Sequence, residues 1–241
     1  MADGKQIDLV LRDMLFLTWA VEPERARKLV PERLELDTKT DTAGRTMAFV
    51  SAVCFRVAEV RSSVLLLPSL SFEQLNYRAY VKAGGVPAVC FLDMKVNSRM
   101  VTTLTSFLRV PIQYEDIDIK IASTGSRNPD GAGTLSYTVK SAGLQAEATI
   151  GGAPAKMSGG GNIAPEFMTD RLVGYVAAGD GVFKIQVEQA DLNSVSARVD
   201  SVGPLRLEQL GLLTLGGSTQ PHSALYVPEA SFGADMPTRA W

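Results

Sequence analysis

Histidine is almost missing from this chain: His222 is the only one in 241 residues, and cysteine is limited to Cys54 and Cys90. A single imidazole, in the loop "TQPHSAL", cannot assemble a His-rich metal centre, and it is expected to be solvated. Serine-hydrolase chemistry would need that histidine together with a G-x-S-x-G elbow, which the chain lacks. Both cysteines sit in apolar, strand-like runs without metal-ligand spacing and read as buried free thiols. No run of lysine and arginine appears, and the net charge of −2 gives no pull towards nucleic acid or anionic lipid. No long apolar run appears at the start either. Asp3, Asp8 and Asp13 interrupt "MADGKQIDLVLRDMLFLTWAV", so neither a signal peptide nor a membrane span is expected, and the cytoplasm is the default compartment. The glycine clusters "GGVPAV" and "SGGGN" do not run from a strand into a helix, which disfavours nucleotide binding. No metal or cofactor is implied.

What the chain does contain is ample core material, with 46% hydrophobic and 21% charged residues, and no repeat or long linker. One domain over residues 1–241 is expected. Strands are predicted over 8–20, in "LELDT", over 44–60 and 71–81, and in "VPAVCFLDMKV" (86–96), with "KAGG" as a hairpin turn. A loop containing Pro68 precedes the 71–81 strand. Further strands are predicted in "YEDIDIKIAS", in two segments within 133–150, and over 182–189, 194–202 and 223–235. Helices are expected after Pro23 as far as Val30, from Ser98 to Pro111, from Pro165 to about Ala178, and near 205–213. In the second of these, Met100, Val101, Leu104, Phe107 and Leu108 form the expected buried stripe. "APAKMSGGGNIAPEF" reads as the most flexible stretch. Many hairpin-linked strands with three or four flanking helices predict a mainly β, α+β fold: a curved antiparallel sheet closing into a barrel. Exposed strand edges make a homo-oligomer an open expectation.

Alternation along "SFEQLNYRAYV" sets Leu75, Tyr77, Ala79 and Val81 on one face and Gln74, Asn76, Arg78 and Tyr80 on the other. Glu73 falls on the apolar side. Either it points inward, needing a hydrogen-bond partner or a cation, or a bulge at Phe72–Glu73 carries it to a wet rim. Lys95 shares the face of Phe91 and Asp93. It is weighed as a Schiff-base lysine against an end-of-strand lysine reaching water, and the second reading is preferred. Tyr114, Asp116, Asp118 and Lys120 read as a solvent-facing polar edge opposite Ile117, Ile119 and Ile121.

The segments "MLFLTWAVEPERARKLVPERLELDT", "FEQLNYRAYV…GGVPAVCFLDM", "FLRVPIQY", "FMTDRLVGYV" and "LRLEQLGLLTLGG…PHSALYV" resemble YqjF-type proteins of the acetoacetate decarboxylase-like superfamily. The most specific features are a W-x-V-x-P-like opening, E-x-x-N-x-R-x-Y and F-L-D. The resemblance implies a cone-like β-barrel around an apolar pocket, with a pocket-facing glutamate carried onto Glu73. It also implies a G-F-P-K-K-like turn, whose first lysine forms the Schiff base and whose second lowers the first one's pKa. The matching stretch is "LRVPIQY": Pro111 keeps the proline, whereas Ile112 and Gln113 stand in the lysine places. Neither can form an imine, so the known decarboxylation is not expected. YqjF-type chains also tend to carry a His and a Trp after the strand at 182–189, where this chain has "EQADLNS".

The expected function is therefore a barrel that binds a small organic acid or carbonyl compound. Its pocket is expected to hold Glu73, Asn76, Arg78, Tyr80, Asp93, Ile112, Gln113 and Tyr114. A lyase or hydratase using Glu73 as general acid or base, with Lys95 as a displaced Schiff-base lysine in its sharpest form, is the alternative. A third expectation is a non-catalytic interaction protein whose pocket has been filled.

Overall fold

The computed structural model describes residues 7–41, 43–63, 70–108, 110–127, 133–151, 163–189, 192–214 and 219–241. The loop at Pro68 and the 153–162 part of "APAKMSGGGNIAPEF" lie outside these residues. In chain order the elements are β1 (Ile7–Val21), α1 (Pro23–Arg27), β2 (Glu35–Leu36), β3 (Lys39–Thr40), β4 (Thr46–Ser62), β5 (Phe72–Ala83) and β6 (Val86–Val96). Then follow α2 (Arg99–Phe107), β7 (Ile112–Tyr114), β8 (Asp118–Arg127), β9 (Gly133–Lys140), β10 (Gln145–Ile150) and α3 (Pro165–Thr169). The chain closes with β11 (Val173–Ala178), β12 (Gly181–Gln189), β13 (Val195–Gly203), α4 (Leu205–Gln209), β14 (Ser223–Ala234) and β15 (Thr238–Arg239). No helix among the described residues is long and apolar enough to cross a membrane.

Seven strands close a ring in the order β11-β6-β5-β4-β1-β14-β12. All its pairings are antiparallel except β11 with β6. The seam between β12 and β14 holds only three residue pairs, so the ring is an irregular barrel. From β14 the sheet continues into β13, β10, β9 and β8, and this second layer folds over the outside of the ring. The β5–β6 hairpin turns at Gly84 and Gly85, whose φ values of 56° and 82° are the left-handed pair that a two-residue hairpin favours.

Two apolar compartments result. Between the ring and the second layer, Leu15, Leu17, Cys54, Leu75 and Tyr77 pack on Ile117, Ile119, Tyr137 and Val139. Inside the ring, Met14, Phe16, Val53, Phe55 and Tyr80 meet residues of α3 and β14. The middle strands are thus buried on both faces, and the period of two assigns each side chain to one compartment.

Two helix expectations change. The predicted helix over 165–178 is a five-residue α3 followed by the strand β11. "VGYVAA" is a short apolar run rich in β-branched and aromatic residues, which periodicity alone does not separate from helix, and pairing with both β6 and β12 settles it as strand. On α2 the Ser98 cap forms as expected, its hydroxyl accepting from the Val101 amide. Only Val101 of the predicted stripe is buried, however, while Met100 and Phe107 are exposed. The helix meets the sheet through Val101 and Leu104, with Leu108 packing beside Met94 and Val110, and positions 100 and 107 lie to one side of that line. His222 is half-buried, edge-on to the Phe49 ring at 5.6 Å.

Cys54 and Cys90 are free and buried. Burial pushes the Cys90 thiol from 9.0 up to about 12 and raises that of Cys54 further. Burial also raises the phenols of Tyr77 and Tyr137 above 10.0. The unfolded chain releases these protons at lower pH than the folded one, so the stability these four groups contribute is complete below about pH 9 and is lost as pH rises beyond it. The urea midpoint is expected to hold level up to about pH 9 and to fall steadily from there. A midpoint unchanged to pH 11 contradicts this burial.

Candidate functional site: the barrel cavity

The ring encloses a cavity of about 240 Å³. Apolar side chains form most of its wall, among them Phe16, Phe55, Phe91 and Phe232, while β5 contributes Phe72 and three successive polar positions, Gln74, Asn76 and Arg78. Gln74 Nε2 donates to Asn76 Oδ1 at 2.8 Å, which ties the two amides together.

Arg78 is the exception. Its Nη2 donates to the Met168 carbonyl at 2.7 Å, and its guanidinium lies over the rings of Phe16 and Tyr80 at 5.0 and 5.4 Å. Its Nε is buried without a partner, and no carboxylate among the described residues pairs with it. The second arginine on the wall, Arg171, has a counter-ion: Nη2 meets the buried Asp37 Oδ2 at 2.8 Å, a carboxylate that Lys82 Nζ also approaches at 3.2 Å, and Nε donates to the Phe167 carbonyl. Behind Arg78 a chain of buried hydroxyls runs from Tyr80 to Ser51 at 2.7 Å and on to Thr18 at 2.6 Å. The Met168 sulfur accepts from Thr18 and Ser223, which seats α3 against that end of the ring.

The profile of DUF2071, described as an uncharacterized conserved protein, matches residues 9–231. The chain belongs to the DUF2071 family. Uncharacterized protein YqjF of Bacillus subtilis (strain 168) is 32% identical over 108 residues, 44% of this chain. That match spans 43% of YqjF, less than half its length. Among solved structures, acetoacetate decarboxylase from Legionella pneumophila subsp. pneumophila str. Philadelphia 1 aligns with 99% of this chain and 88% of its own, at TM-score 0.62 and 9% identity. The enduracididine biosynthesis enzyme MppR, complexed with pyruvate, covers 99% of this chain and 91% of its own, at TM-score 0.58 and 12% identity. At these identities the likeness is one of fold alone.

In this DUF2071 chain the expected site residues divide between the compartments. Asn76 and Arg78 line the cavity. Tyr80 is fully buried and serves as a shelf beneath Arg78. Glu73, expected in the pocket, lies on the other side of the wall, where its apolar face meets the second layer rather than the hollow. There its Oε1 pairs with Arg56 Nε at 3.2 Å, and its Oε2 accepts from the Ile119 amide at 3.1 Å and from Asn97 Nδ2. Period-two placement on the face of Leu75 and Tyr77 holds. That face is simply not the one that looks into the barrel.

Asp93 and Lys95 also lie outside. A bulge in β6 skips Leu92, so Phe91 and Met94 point inward while Asp93 and Lys95 follow Tyr77 and Leu75 outward. The shared Phe91–Asp93–Lys95 face expected from the sequence is therefore broken. Lys95 is only 8% exposed rather than reaching water, bound to Asp93 at 3.2 Å and donating to Gln113 Oε1. Asp93 also accepts from Arg206 Nε at 2.6 Å. Ile112 packs beside Met94 and Val110 at the edge of the ring. Tyr114 is exposed, stacked with Arg99 and donating to Asp116. The sequence reading missed Gln74, which alternation had already placed with Asn76, and Arg171, which only the fold brings near.

Glu73→Gln keeps the shape but removes the charge facing Arg56. It is expected to lower unfolding free energy by about 1–3 kcal/mol and to leave binding in the barrel cavity unchanged. Denaturant melts with parallel ligand titrations check both, and unchanged stability with abolished binding is the opposite, pocket-acid result.

Proposed function

We propose that this protein binds a small organic acid inside the ring, with Arg78 as its anchor. The observation that carries the reading is the Arg78 guanidinium itself, a permanent cation on the wall of an apolar cavity that has no carboxylate among its described lining residues, with its Nε buried and unpaired. A buried cation lacking a counter-ion is costly, and a carboxylate offers both charge and paired acceptors in the plane of the guanidinium. An apolar hollow with a few convergent polar groups is the usual form of a ligand site. At about 240 Å³ it lies below the drug-sized range of roughly 300–1,000 Å³, consistent with a small ligand. The open volume speaks against a filled pocket. The engagement of Glu73 with Arg56 removes support from a general acid at that position.

The test compares monocarboxylates with their neutral amides by calorimetry, on wild type and on Arg78→Met. Acids are expected to bind and amides to bind weakly, and Arg78→Met should lose at least about thirtyfold in affinity for the acids. Amides binding as tightly as acids, or a folded Arg78→Met binding acids unchanged, overturns the assignment.

A further inference from the structure

The cavity has length as well as charge. The inward positions of β5 run from Phe72 to Arg78, about 20 Å at the rise of a strand. The register sets an apolar neighbour beside each of them: Phe91 beside Arg78, Val53 and Met94 beside Asn76, Phe55 beside Gln74, and Val57 beside Phe72. Beyond Phe72 the wall continues to Leu9 and its partner Phe232. The charged end is blocked by α3, where Met168 is 1% exposed and accepts from Arg78. Gln74 and Asn76, which interrupt this apolar lining, are bonded to each other.

A two- or three-carbon acid would fill only the layer around Arg78. The apolar side chains of the three further layers, Val53 and Met94, Phe55, and Phe72 with Val57, would then face water or empty space, which wastes the burial they offer. A volume of about 240 Å³ drawn along the ring axis leaves a narrow bore. Resting on the assignment of Arg78 as anchor, we infer that the preferred ligand is an unbranched, medium-chain monocarboxylic acid. Its carboxylate lies on Arg78, and its alkyl tail runs along the ring axis past Asn76 and Gln74 to Phe72 and Leu9. Specificity for length comes from where the tail emerges at Leu9 and Phe232. Specificity for an unbranched chain comes from Phe16, Phe91 and Met94 close to the head.

Calorimetric titration with acetate, butyrate, hexanoate, octanoate and decanoate, each below its micellar concentration, tests the inference. Affinity is expected to rise roughly fourfold per methylene buried and to stop rising once the tail passes Leu9. Octanoate is expected to bind at least tenfold more tightly than its branched isomer 2-propylpentanoate, a comparison that needs no variant. Leu9→Trp, at the far rim, should move the optimum to a shorter chain. Arg78-dependent binding with no gain from length, or equal binding of the two isomers, overturns this inference and leaves the anchor standing. Loss of Arg78 dependence across the whole series removes the anchor itself.

Discussion

The fold depends on a wall that is buried on both sides. Strands β1, β4, β5 and β6 separate the cavity from the layer formed by β8, β9, β10 and β13, so each residue on them faces one compartment or the other. Alternation decides which, and only a bulge can change the assignment. Three bulges do so. One, at Leu92, sends Asp93 and Lys95 outward. A second lies in β4 at Ala58, between the pairs Val10–Glu59 and Leu11–Val57. The third lies in β1, where Asp13 has φ 56°, a left-handed conformation uncommon outside glycine and tolerated by aspartate. Before it Leu9 and Leu11 point inward, and after it Met14 and Phe16 do.

The Asp13 bulge also supplies the charge that holds the second layer in place. Arg56 lies between two carboxylates, with Nη1 2.9 Å from Asp13 and Nε 3.2 Å from Glu73, and it donates to the Ile119 carbonyl. Asp13 further accepts from the Tyr226 hydroxyl at 2.8 Å, and its carbonyl accepts from Tyr137 at 3.1 Å. Through Glu73 and Arg56, both backbone groups of Ile119 are bound to the ring. Half-buried charges are stabilising only when their remaining hydrogen-bonding capacity is met. Here each carboxylate oxygen has a donor, which makes the triad a clamp between layers.

Much of the architecture was legible because strand periodicity and turn chemistry are local. The hairpin at Gly84–Gly85, the alternation of Ile117 and Ile119 and the cap at Ser98 are each written within a few residues. The identity of a strand's second partner is not local. Nothing near Glu73 says whether its apolar face meets a cavity or another sheet, and both environments select the same side chains. The bulge at Leu92 is equally silent, since "FLDMK" alternates as well with a skipped residue as without one. The run at β11 became strand rather than helix because the ring needed closing between β6 and β12, a demand set by residues some eighty positions away. Arg78 was visible as the cation on the polar face of β5. Its lack of a counter-ion was not, because that requires knowing that Asp37 is taken by Arg171.

The chemistry of the cavity follows from which cation it keeps. An amine can lose its proton and form an imine with a carbonyl. A guanidinium stays protonated and offers fixed, planar donors. Lys95 faces the outer compartment, held by Asp93, and the cavity wall among the described residues carries arginine but no lysine. A carboxylate resting on Arg78 is stabilised most while it keeps its full negative charge. Loss of carbon dioxide moves that charge off the carboxylate, so the same contact favours the bound acid over the transition state of its decarboxylation. With a guanidinium and no amine among its described lining residues, the cavity as proposed is suited to holding an acid and offers no imine-forming group to decarboxylate it.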